Sequence, residues 1–427
     1  MNQLLNQEPP KNLTPLTHKE LKDKILSKVG GDLADIEQAL RENLNPHLDL
    51  VSEIAGHLLF SGGKRLRPLL MLLSSRLCSH QINPIDPIAQ NPNYKNIVQF
   101  STIFEYLHAA TLLHDDVVDE AQMRRGKAAA HSIWSVPKVV LTGDFLLARS
   151  LSLAAKTEIP QIISIMAGIT EDMSQGEIDQ MEQKGRLDLT ESQYLRIIKR
   201  KTAVLIQGAC KSGAILAHSG RVNYKNSHNN SDSVHKDGYN DHVINHTTRN
   251  ESQLREFHIN STNNTITITK DEAFKREEAL DNYGYHLGIA FQMADDLLDY
   301  TGDSASLGKN RGADIREGKL TLPLIYALSK ADGKDRAVME DIIKGSFSCD
   351  KCEDNLSSSN RDENFNSSVN SFDLILEKIK RYKGIEYTEL QAENHVEQAK
   401  KSLGIFQACE AKELLLMLAD YSIARKI

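Results

Sequence analysis

Two clusters of aspartates have a spacing that suits divalent metal ions. The first consists of Asp115, Asp116 and Asp119, and the second of Asp295, Asp296 and Asp299. Residues four apart on a helix share one face, so the outer aspartates of a cluster lie about 6 Å apart along the axis, roughly one turn. Their like charges repel, and a divalent cation would offset that repulsion. Because Mg²⁺ prefers oxygen ligands and usually binds together with substrate phosphates, the clusters predict a magnesium-held diphosphate.

Each cluster ends an apolar segment. The sequence FSTIFEYLHAATLLH precedes the first cluster, and HLGIAFQMA precedes the second. One such acidic motif by itself would equally describe a helix end that faces water. Two of them favour a diphosphate held by several ions between two helices.

Basic residues near these clusters could bind an anionic substrate directly. The stretch GGKRLRP at 62–68 supplies a turn, then bases, then a proline suited to a helix start. Arginine grips phosphate oxygens in a bidentate manner, whereas a single basic residue is more often a solvated surface charge. The candidates are Lys64, Arg67, Arg124, Arg125, Lys201 with Thr202, Lys309 and Lys319.

Composition narrows the class of protein. The chain has 427 residues and a net charge of −7, so bulk attraction to nucleic acid is not expected. Five cysteines in a chain of this length favour a reducing compartment over a disulfide framework. No apolar run approaches the ~20 residues of a membrane span. The N-terminal stretch lacks the apolar centre of a signal peptide and is a poor mitochondrial presequence.

The spacing of apolar residues predicts an all-α fold. Three- and four-residue spacing is present in most of 31–220 and at 270–300, 320–343 and 373–425. Residues 1–30 are interpreted as a polar tail with one helix near 18–29. The catalytic domain is therefore expected to span 31–427.

Two polar stretches, 221–268 and 345–372, interrupt the helical pattern. Both are rich in Asn and Ser, and we interpret them as disordered insertions. The histidines of the first are spaced too irregularly to favour a metal site, although its ITITI run could form a short strand. In the second, Cys349 and Cys352 form a lone CxxC that is better explained as two thiols in a loop than as a zinc site.

The motifs occur in an order that resembles the trans-isoprenyl diphosphate synthases, or polyprenyl synthetases, over about 31–343 outside the first insertion. The matching pieces are GGKRLRP (62–68), LHAATLLHDDVVDE (107–120), RRG (124–126), GDFLLARS (143–150), KT (201–202), FQMADDLLD (291–299) and GKLTLP (318–323). The resemblance implies a single helical bundle around a central apolar cavity, the isoprenoid synthase fold. It also implies head-to-tail condensation of isopentenyl diphosphate with an allylic diphosphate, farnesyl or geranylgeranyl.

The resemblance also implies roles for individual residues. The two clusters would bind about three Mg²⁺ ions, and the first cluster would carry the allylic diphosphate. Isopentenyl diphosphate would be held by Lys64, Arg67, His108 and Arg125. The allylic substrate would contact Arg124, Lys201, Thr202, Gln292, Lys309 and Lys319, and Lys201 would join the aspartates as a catalytic residue. By itself His108 would be interpreted as a core histidine, and the family match reverses that interpretation.

Small residues before the first cluster favour a long product. Ala110 and Thr111 stand where bulky aromatics give short products in this family, and Phe104 could form a deeper floor. The resemblance therefore implies a product of thirty carbons or more, about forty to fifty, for a quinone side chain. The alternatives are that Ala110 and Thr111 only allow close helix packing, and that the enzyme is a shorter-chain geranylgeranyl synthase.

The family resemblance leaves the assembly and the compartment open. A homodimer is expected, and a non-catalytic subunit of a heteromeric synthase is the alternative. Peripheral membrane contact could aid product release although no span is predicted. A mitochondrial site would follow from a eukaryotic quinone pathway, and a cytoplasmic one otherwise.

Overall fold

Helices dominate the structure, a computed structural model that describes residues 17–82, 94–219, 257–259, 266–302, 311–349 and 361–424. The helices are α1 (His18–Leu44), α2 (Asp49–Leu59), α3 (Leu66–Ile82), α4 (Tyr94–Val118), α5 (Ala130–Ile133), α6 (Val136–Ala155), α7 (Pro160–Glu182), α8 (Glu191–Ile198), α9 (Val204–His218), α10 (Lys270–Thr301), α11 (Ala313–Arg316), α12 (Leu322–Lys330), α13 (Gly333–Cys349), α14 (Arg361–Arg381), α15 (Gly384–Ser402) and α16 (Glu410–Ile423). A five-residue π-helix, Lys199–Ala203, joins α8 to α9, and a 3₁₀ turn, Leu403–Ile405, follows α15.

Strands are confined to two small antiparallel hairpins in the described ranges. The first pairs β1 (Met123–Arg124) with β2 (Lys127–Ala128) directly after the first aspartate cluster. The second pairs β3 (Phe257–Ile259) with β4 (Ile266–Ile268), just before α10. The all-α prediction is confirmed.

Local signals define where the long helices begin. Thr17 accepts a hydrogen bond from the backbone of Glu20, whose side chain accepts in return, so a capping box starts α1. Thr269 and Glu272 form the same arrangement at the start of α10. Pro160 occupies the first turn of α7, where its missing N–H has no cost.

The core is built around α4 and α10, the two helices that carry the aspartate clusters. α4 buries Phe100, Phe104 and Tyr106 and packs against α6, α3 and α1. α10 packs against α9 and α15. Its backbone comes close to the π-helix at Gly288, where an added methyl group would lie 2.5 Å from the Cα of Ala203. The two cluster-bearing helices are thus fixed by the same core.

Helices and strands cross the bounds predicted for the tail and for both insertions. The boundary at residue 30 falls inside α1, because buried Leu21, Ile25 and Val29 continue into the same buried stripe as Ile36. The first insertion ends earlier than residue 268, since β3 and β4 form a hairpin, and the ITITI run does contribute a strand. The remainder of that insertion lies outside the described residues.

The second insertion is shorter than predicted at both ends. α13 continues to Cys349 and α14 begins at Arg361, so the bounds 345–372 were wrong. Helical propagation from the packed segments on either side accounts for the difference. Cys352 lies outside the described residues, and the interpretation of the CxxC stays a prediction.

The predicted central apolar cavity also stays a prediction. A cavity of about 500 Å³ lies between α1, α3, α10 and α16, with Ile25, Leu69 and Leu418 in its wall. The residues proposed to limit product length do not line it. No helix in the described part of the chain is long and apolar enough to cross a membrane.

Candidate active site

In the first aspartate cluster, the middle residue faces the protein interior and the two outer residues share another face. Asp116 is only 1% exposed and accepts a hydrogen bond of 2.7 Å from Nε of Arg124, with a second from Nη2. This ion pair ties the β1–β2 hairpin to the end of α4. Asp115 and Asp119 share the other face, one turn apart, as the spacing predicts.

Burial and the charges around this face shift the pKa of Asp115 and of Asp119 in opposite directions. Burial raises the pKa of Asp115 to about 6, and Glu177 and Asp119 add to the rise while Lys201 opposes it. Burial alone would raise the pKa of Asp119 as well, but Lys319 and Lys201 lower it below its usual value. Nζ of Lys319 lies 3.6 Å from Oδ2 of Asp119.

The π-helix places Lys201 and Thr202 beside the first cluster. Nζ of Lys201 lies 2.5 Å from Oε2 of Glu177 on α7. The two backbones come this close because α7 has a glycine at the crossing, where a methyl group at Gly176 would lie 3.0 Å from the backbone nitrogen of Lys201. Single π turns recur at functional sites because they redirect side chains within a helix.

Sequence reasoning missed Glu177. The signal that could have found it is the buried stripe of α7, formed by Ile162, Met166, Ile169, Met173 and Gly176. Glu177 lies four residues after Met173 and so extends that stripe with a charge. A carboxylate that continues an apolar stripe usually has a buried partner.

The second cluster is anchored through its middle member too. Asp296 is buried and accepts hydrogen bonds from the hydroxyl of Tyr194 at 2.6 Å and from Nε2 of Gln292 at 2.7 Å. Burial raises the pKa of Asp296, and these two hydrogen bonds oppose the rise. Oγ1 of Thr202 donates to Oε1 of Gln292 at 2.7 Å, which connects the second cluster to the π-helix.

Asp299 has a structural partner that the spacing did not indicate. Its two oxygens accept hydrogen bonds from the backbone nitrogens of Ala313 at 3.0 Å and Asp314 at 3.2 Å, at the start of α11. Its role as a metal ligand stays a prediction, and so does that of Asp295. Lys309 lies outside the described residues.

The two clusters are connected through adjacent residues of the π-helix. Lys201 interacts with Asp115 on one side, and its neighbour Thr202 reaches Asp296 through Gln292 on the other. In the described ranges, no three His, Cys, Asp or Glu side chains converge closely enough to hold a metal ion by themselves. Oxygen donors split between two helices suit ions that a phosphate ligand bridges.

Three of the residues predicted to hold isopentenyl diphosphate, Arg67, His108 and Arg125, lie close enough to interact electrostatically. Arg67 and His108 are both half-buried. Burial lowers the pKa of His108 well below its usual value, and Arg67 and Arg125 lower it further, so its imidazole is neutral. The ammonium group of Lys64 lies 5.5 Å from the centre of the Tyr421 ring on α16.

Two members of this region escaped the sequence prediction. Arg65 is buried and pairs with Glu37 at 2.8 Å and with Glu105 at 2.9 Å. Glu105 lies three residues before His108 on α4. Its charge inside an otherwise apolar segment was the available signal, because a buried carboxylate needs a cationic partner.

The residues proposed to set product length lie along α4, before the first cluster. Ala110 and Phe104 are buried in the core, and Thr111 is half-buried. The hydroxyl of Thr111 donates to the carbonyl oxygen of His108 at 2.9 Å. Their role in product length stays a prediction.

Carboxylates near the ends of two helices of the same core, with lysines and arginines beside them, are the features of an enzyme site for a metal-bound phosphate ester. The family model described as polyprenyl synthetase matches residues 48–236 and 256–358. The octaprenyl diphosphate synthase of Haemophilus influenzae is 28% identical over 94% of this chain and 97% of its own. Component 2 of the heptaprenyl diphosphate synthase of Geobacillus stearothermophilus is 31% identical over 71% of this chain and 74% of its own.

A solved structure agrees with these relatives. The polyprenyl synthase of Caulobacter crescentus, in complex with calcium and isoprenyl diphosphate, superimposes with a TM-score of 0.70 at 29% identity. The match covers 95% of this chain and 98% of that one. The chain belongs to the polyprenyl synthetase family and is a prenyl-transferring enzyme with the isoprenoid synthase fold, as the sequence motifs predicted.

The close approach at Gly176 yields a test of the site's support. Gly176→Ala should lower the free energy of unfolding by about 1–3 kcal/mol, because the added methyl group meets the backbone at Lys201. Displacing Lys201 should also reduce turnover. Urea denaturation and steady-state assays measure the two effects.

The matched control is Gly168→Ala on the same helix, where an added methyl group meets nothing within 4 Å. That change should be neutral or raise stability by up to about 1 kcal/mol, since alanine is the better helix former. Equal effects of the two substitutions would contradict the role assigned to the crossing.

Proposed function

We propose that this enzyme condenses isopentenyl diphosphate with an allylic diphosphate, head to tail, and releases a long-chain all-trans polyprenyl diphosphate. The observation that carries the proposal is that adjacent π-helix residues link the two clusters: Lys201 interacts with Asp115, and Thr202 reaches Asp296 through Gln292. Farnesyl or geranylgeranyl diphosphate is the proposed primer, and a quinone side chain is the proposed use of the product. The family and the prenyl-transfer class support this reading.

The donor set fits Mg²⁺. Carboxylate oxygens are the hard ligands that this ion prefers. Burial raises the pKa of Asp115, repulsion from Glu177 and Asp119 adds to the rise, and a bound cation would offset that repulsion. Asp115 and Asp119 would hold ions on one side, and Asp295 with Asp296 on the other. Magnesium, when bound, neutralises the charge that develops on the departing diphosphate.

The protein's own side chains supply the remaining electrostatics. Lys201 and Lys319 flank the first cluster and would stabilise the leaving diphosphate as its carbon–oxygen bond breaks. Arg67, Arg125 and neutral His108 would orient isopentenyl diphosphate so that its double bond attacks the allylic carbon. The proton lost after this attack would pass to the released diphosphate, which is the nearest strong base. The apolar packing of α4 would keep water from the cation.

The aspartate assignment is tested by Asp115→Asn and Asp295→Asn. Each should reduce turnover by about 10²-fold or more, because an amide binds a cation far less well than a carboxylate. Asp188→Asn is the control, since Asp188 is exposed and pairs only with its neighbour Arg186 in the described structure. The readout is the incorporation of labelled isopentenyl diphosphate by the purified chain.

The same assay separates the two proposed kinds of assembly. A non-catalytic component would show no turnover without a second chain, whereas a complete enzyme turns over alone. Near-normal rates in both aspartate variants would contradict the site assignment.

The proposed product is long because the face of α4 that leads from Asp115 has small side chains at Ala110 and Thr111. The names of the octaprenyl and heptaprenyl relatives support this choice over a geranylgeranyl synthase. A phenylalanine at 110 would place a ring in that path, as bulky side chains define how deep a pocket extends.

We therefore expect Ala110→Phe to shorten the product, and Ala110→Ser to leave its length unchanged. Chromatography of the prenyl products, made with farnesyl or geranylgeranyl diphosphate as primer, provides the measurement. A wild-type product of twenty carbons or fewer would overturn the long-chain proposal.

A homodimer is the proposed assembly. Three consecutive helices, α5 to α7, leave large apolar side chains in solvent, and a surface of this kind usually marks a protein interface. They are Ile133, Val136, Leu141, Leu151, Ile163, Ile178 and Met181. A second copy of the chain is the proposed partner.

Sedimentation should give twice the mass of one chain, and Leu141→Lys should shift the protein toward the monomer. Phe274→Lys is the control, because Phe274 is 61% exposed, close to the 65% of Leu141, but lies at the start of α10. A monomeric wild type, or equal effects of both substitutions, would contradict the proposed interface.

A further inference from the structure

A buried carboxylate lies inside the arginine-rich half of the site, where a diphosphate is proposed to bind. Glu105 is 4% exposed and lies on α4, one turn before His108. Oε1 of Glu105 accepts a hydrogen bond of 2.9 Å from Nη1 of Arg65. An acidic side chain next to a site for an anion would by itself weaken binding, so its presence needs a physical reason.

Arg65 connects Glu105 to the rest of the fold. Its guanidinium also donates from Nε to Glu37 on α1 at 2.8 Å and from Nη2 to the carbonyl oxygen of Leu59 at the end of α2. Its backbone adopts a left-handed conformation, with φ at 47°. Three acceptors on three helices thus hold Arg65, which makes it a connector within the GGKRLRP segment and leaves substrate contact to its neighbours.

The second oxygen of Glu105 points to the same conclusion. Oε2 is buried and has no hydrogen-bond partner in the part of the chain that the structure describes, and the same holds for Nε of Arg67. Burial lowers the pKa of Arg67, and the charge of Glu105 opposes that change. Burial also lowers the pKa of Arg125, and Glu105 again opposes it. Glu105 therefore acts on both arginines that are proposed to face the diphosphate.

The arginines would separate without such a counterion. Arg125 and Arg67 repel each other, and Arg65 and Arg124 add to the repulsion on Arg125. A diphosphate is gripped best when guanidinium groups already converge before it arrives, because no energy is then spent on reorganisation. A carboxylate behind them supplies that convergence and cannot touch the substrate, since the two anions repel.

We propose that Glu105 is the positioning residue of this half of the site: through Arg65, and by its own charge, it keeps Arg67 and Arg125 converged on the diphosphate of the non-allylic substrate. The inference rests on the proposed function, because it takes isopentenyl diphosphate as the ligand of this cluster. It extends that function by assigning Glu105 and Arg65 a task distinct from substrate contact.

Glu105→Gln tests the proposal through the sign of its effect. The amide keeps the size of the side chain and removes its charge. If Glu105 were only an unfavourable charge near an anion, the variant would bind isopentenyl diphosphate more tightly. If Glu105 positions the arginines, the KM for isopentenyl diphosphate should rise about tenfold, the scale of one lost charge-assisted hydrogen bond. The KM for the allylic diphosphate should stay within about twofold, which also shows that the fold is intact.

Glu37→Gln is the matched control. Glu37 also pairs with Arg65, but only Glu105, and not Glu37, is among the main causes that set the pKa of Arg67 and Arg125. We expect a smaller change in the KM for isopentenyl diphosphate from this variant. Arg65→Gln combined with Glu105→Gln should raise that KM by less than the product of the single effects, because both substitutions break one connection.

Each outcome is decisive. An unchanged or lower KM for isopentenyl diphosphate in Glu105→Gln overturns the proposal, as does an equal rise in the KM of both substrates. If Glu105→Gln does not fold, Arg65→Lys gives the same test, since it retains the charge but loses the three-acceptor geometry. A wild type that does not turn over isopentenyl diphosphate overturns the proposed function instead.

Discussion

The close contact of three helix backbones at the π-helix is the constraint on which this site depends. Gly176 of α7 and Gly288 of α10 lie on either side of the segment Lys199–Ala203, each at a distance that a methyl group would not fit. Between them, Lys201 is aimed at Glu177 and the first cluster, and Thr202 at Gln292 and the second. Any widening of this crossing would separate the two clusters, because their connection passes through adjacent residues of one turn.

Within this frame, the two aspartate clusters follow one plan. The middle aspartate of each is buried and accepts hydrogen bonds, Asp116 from Arg124 and Asp296 from Tyr194 and Gln292. Breaking such buried pairs is costly, so each fixes the end of its helix. In the first cluster the outer members are then held in place by the helix itself, whereas Asp299 of the second also accepts hydrogen bonds from the backbone of α11. The three aspartates of a motif are therefore not equivalent. In the first cluster, Asp116 anchors the end of the helix, and Asp115 and Asp119 share the face toward the site.

Helical spacing and charge are local properties, so the sequence alone predicted the helices and singled out the clusters and basic residues, whose roles stay predictions. It was insufficient where the partner comes from another element. Nothing in GGKRLRP distinguishes Arg65, which three helices hold, from Arg67, since that depends on Glu37 and Glu105. The hydrogen bond by which Asp299 caps α11 could not be predicted from the sequence for the same reason, because its partner comes from another element. The boundary at residue 30 failed because the burial of Val29 and Ile36 outweighs the ~1 kcal/mol that each of the exposed glycines 30 and 31 costs a helix.

Helix α4 carries both His108, proposed to bind isopentenyl diphosphate, and the first aspartate cluster. The number of residues between them therefore sets the separation of these two parts of the site. On α4, His108 precedes Asp115 by seven residues, which is about 10 Å along the axis at 1.5 Å per residue. Two diphosphates held at these levels would be far enough apart to limit their mutual repulsion, while their hydrocarbon ends could still meet between them. Glu105 lies a further turn from Asp115, behind the arginines, so its charge organises one substrate's cations without approaching the aspartates. A rigid, buried helix with a fixed rise per residue is suited to this task because neither half can move without the other.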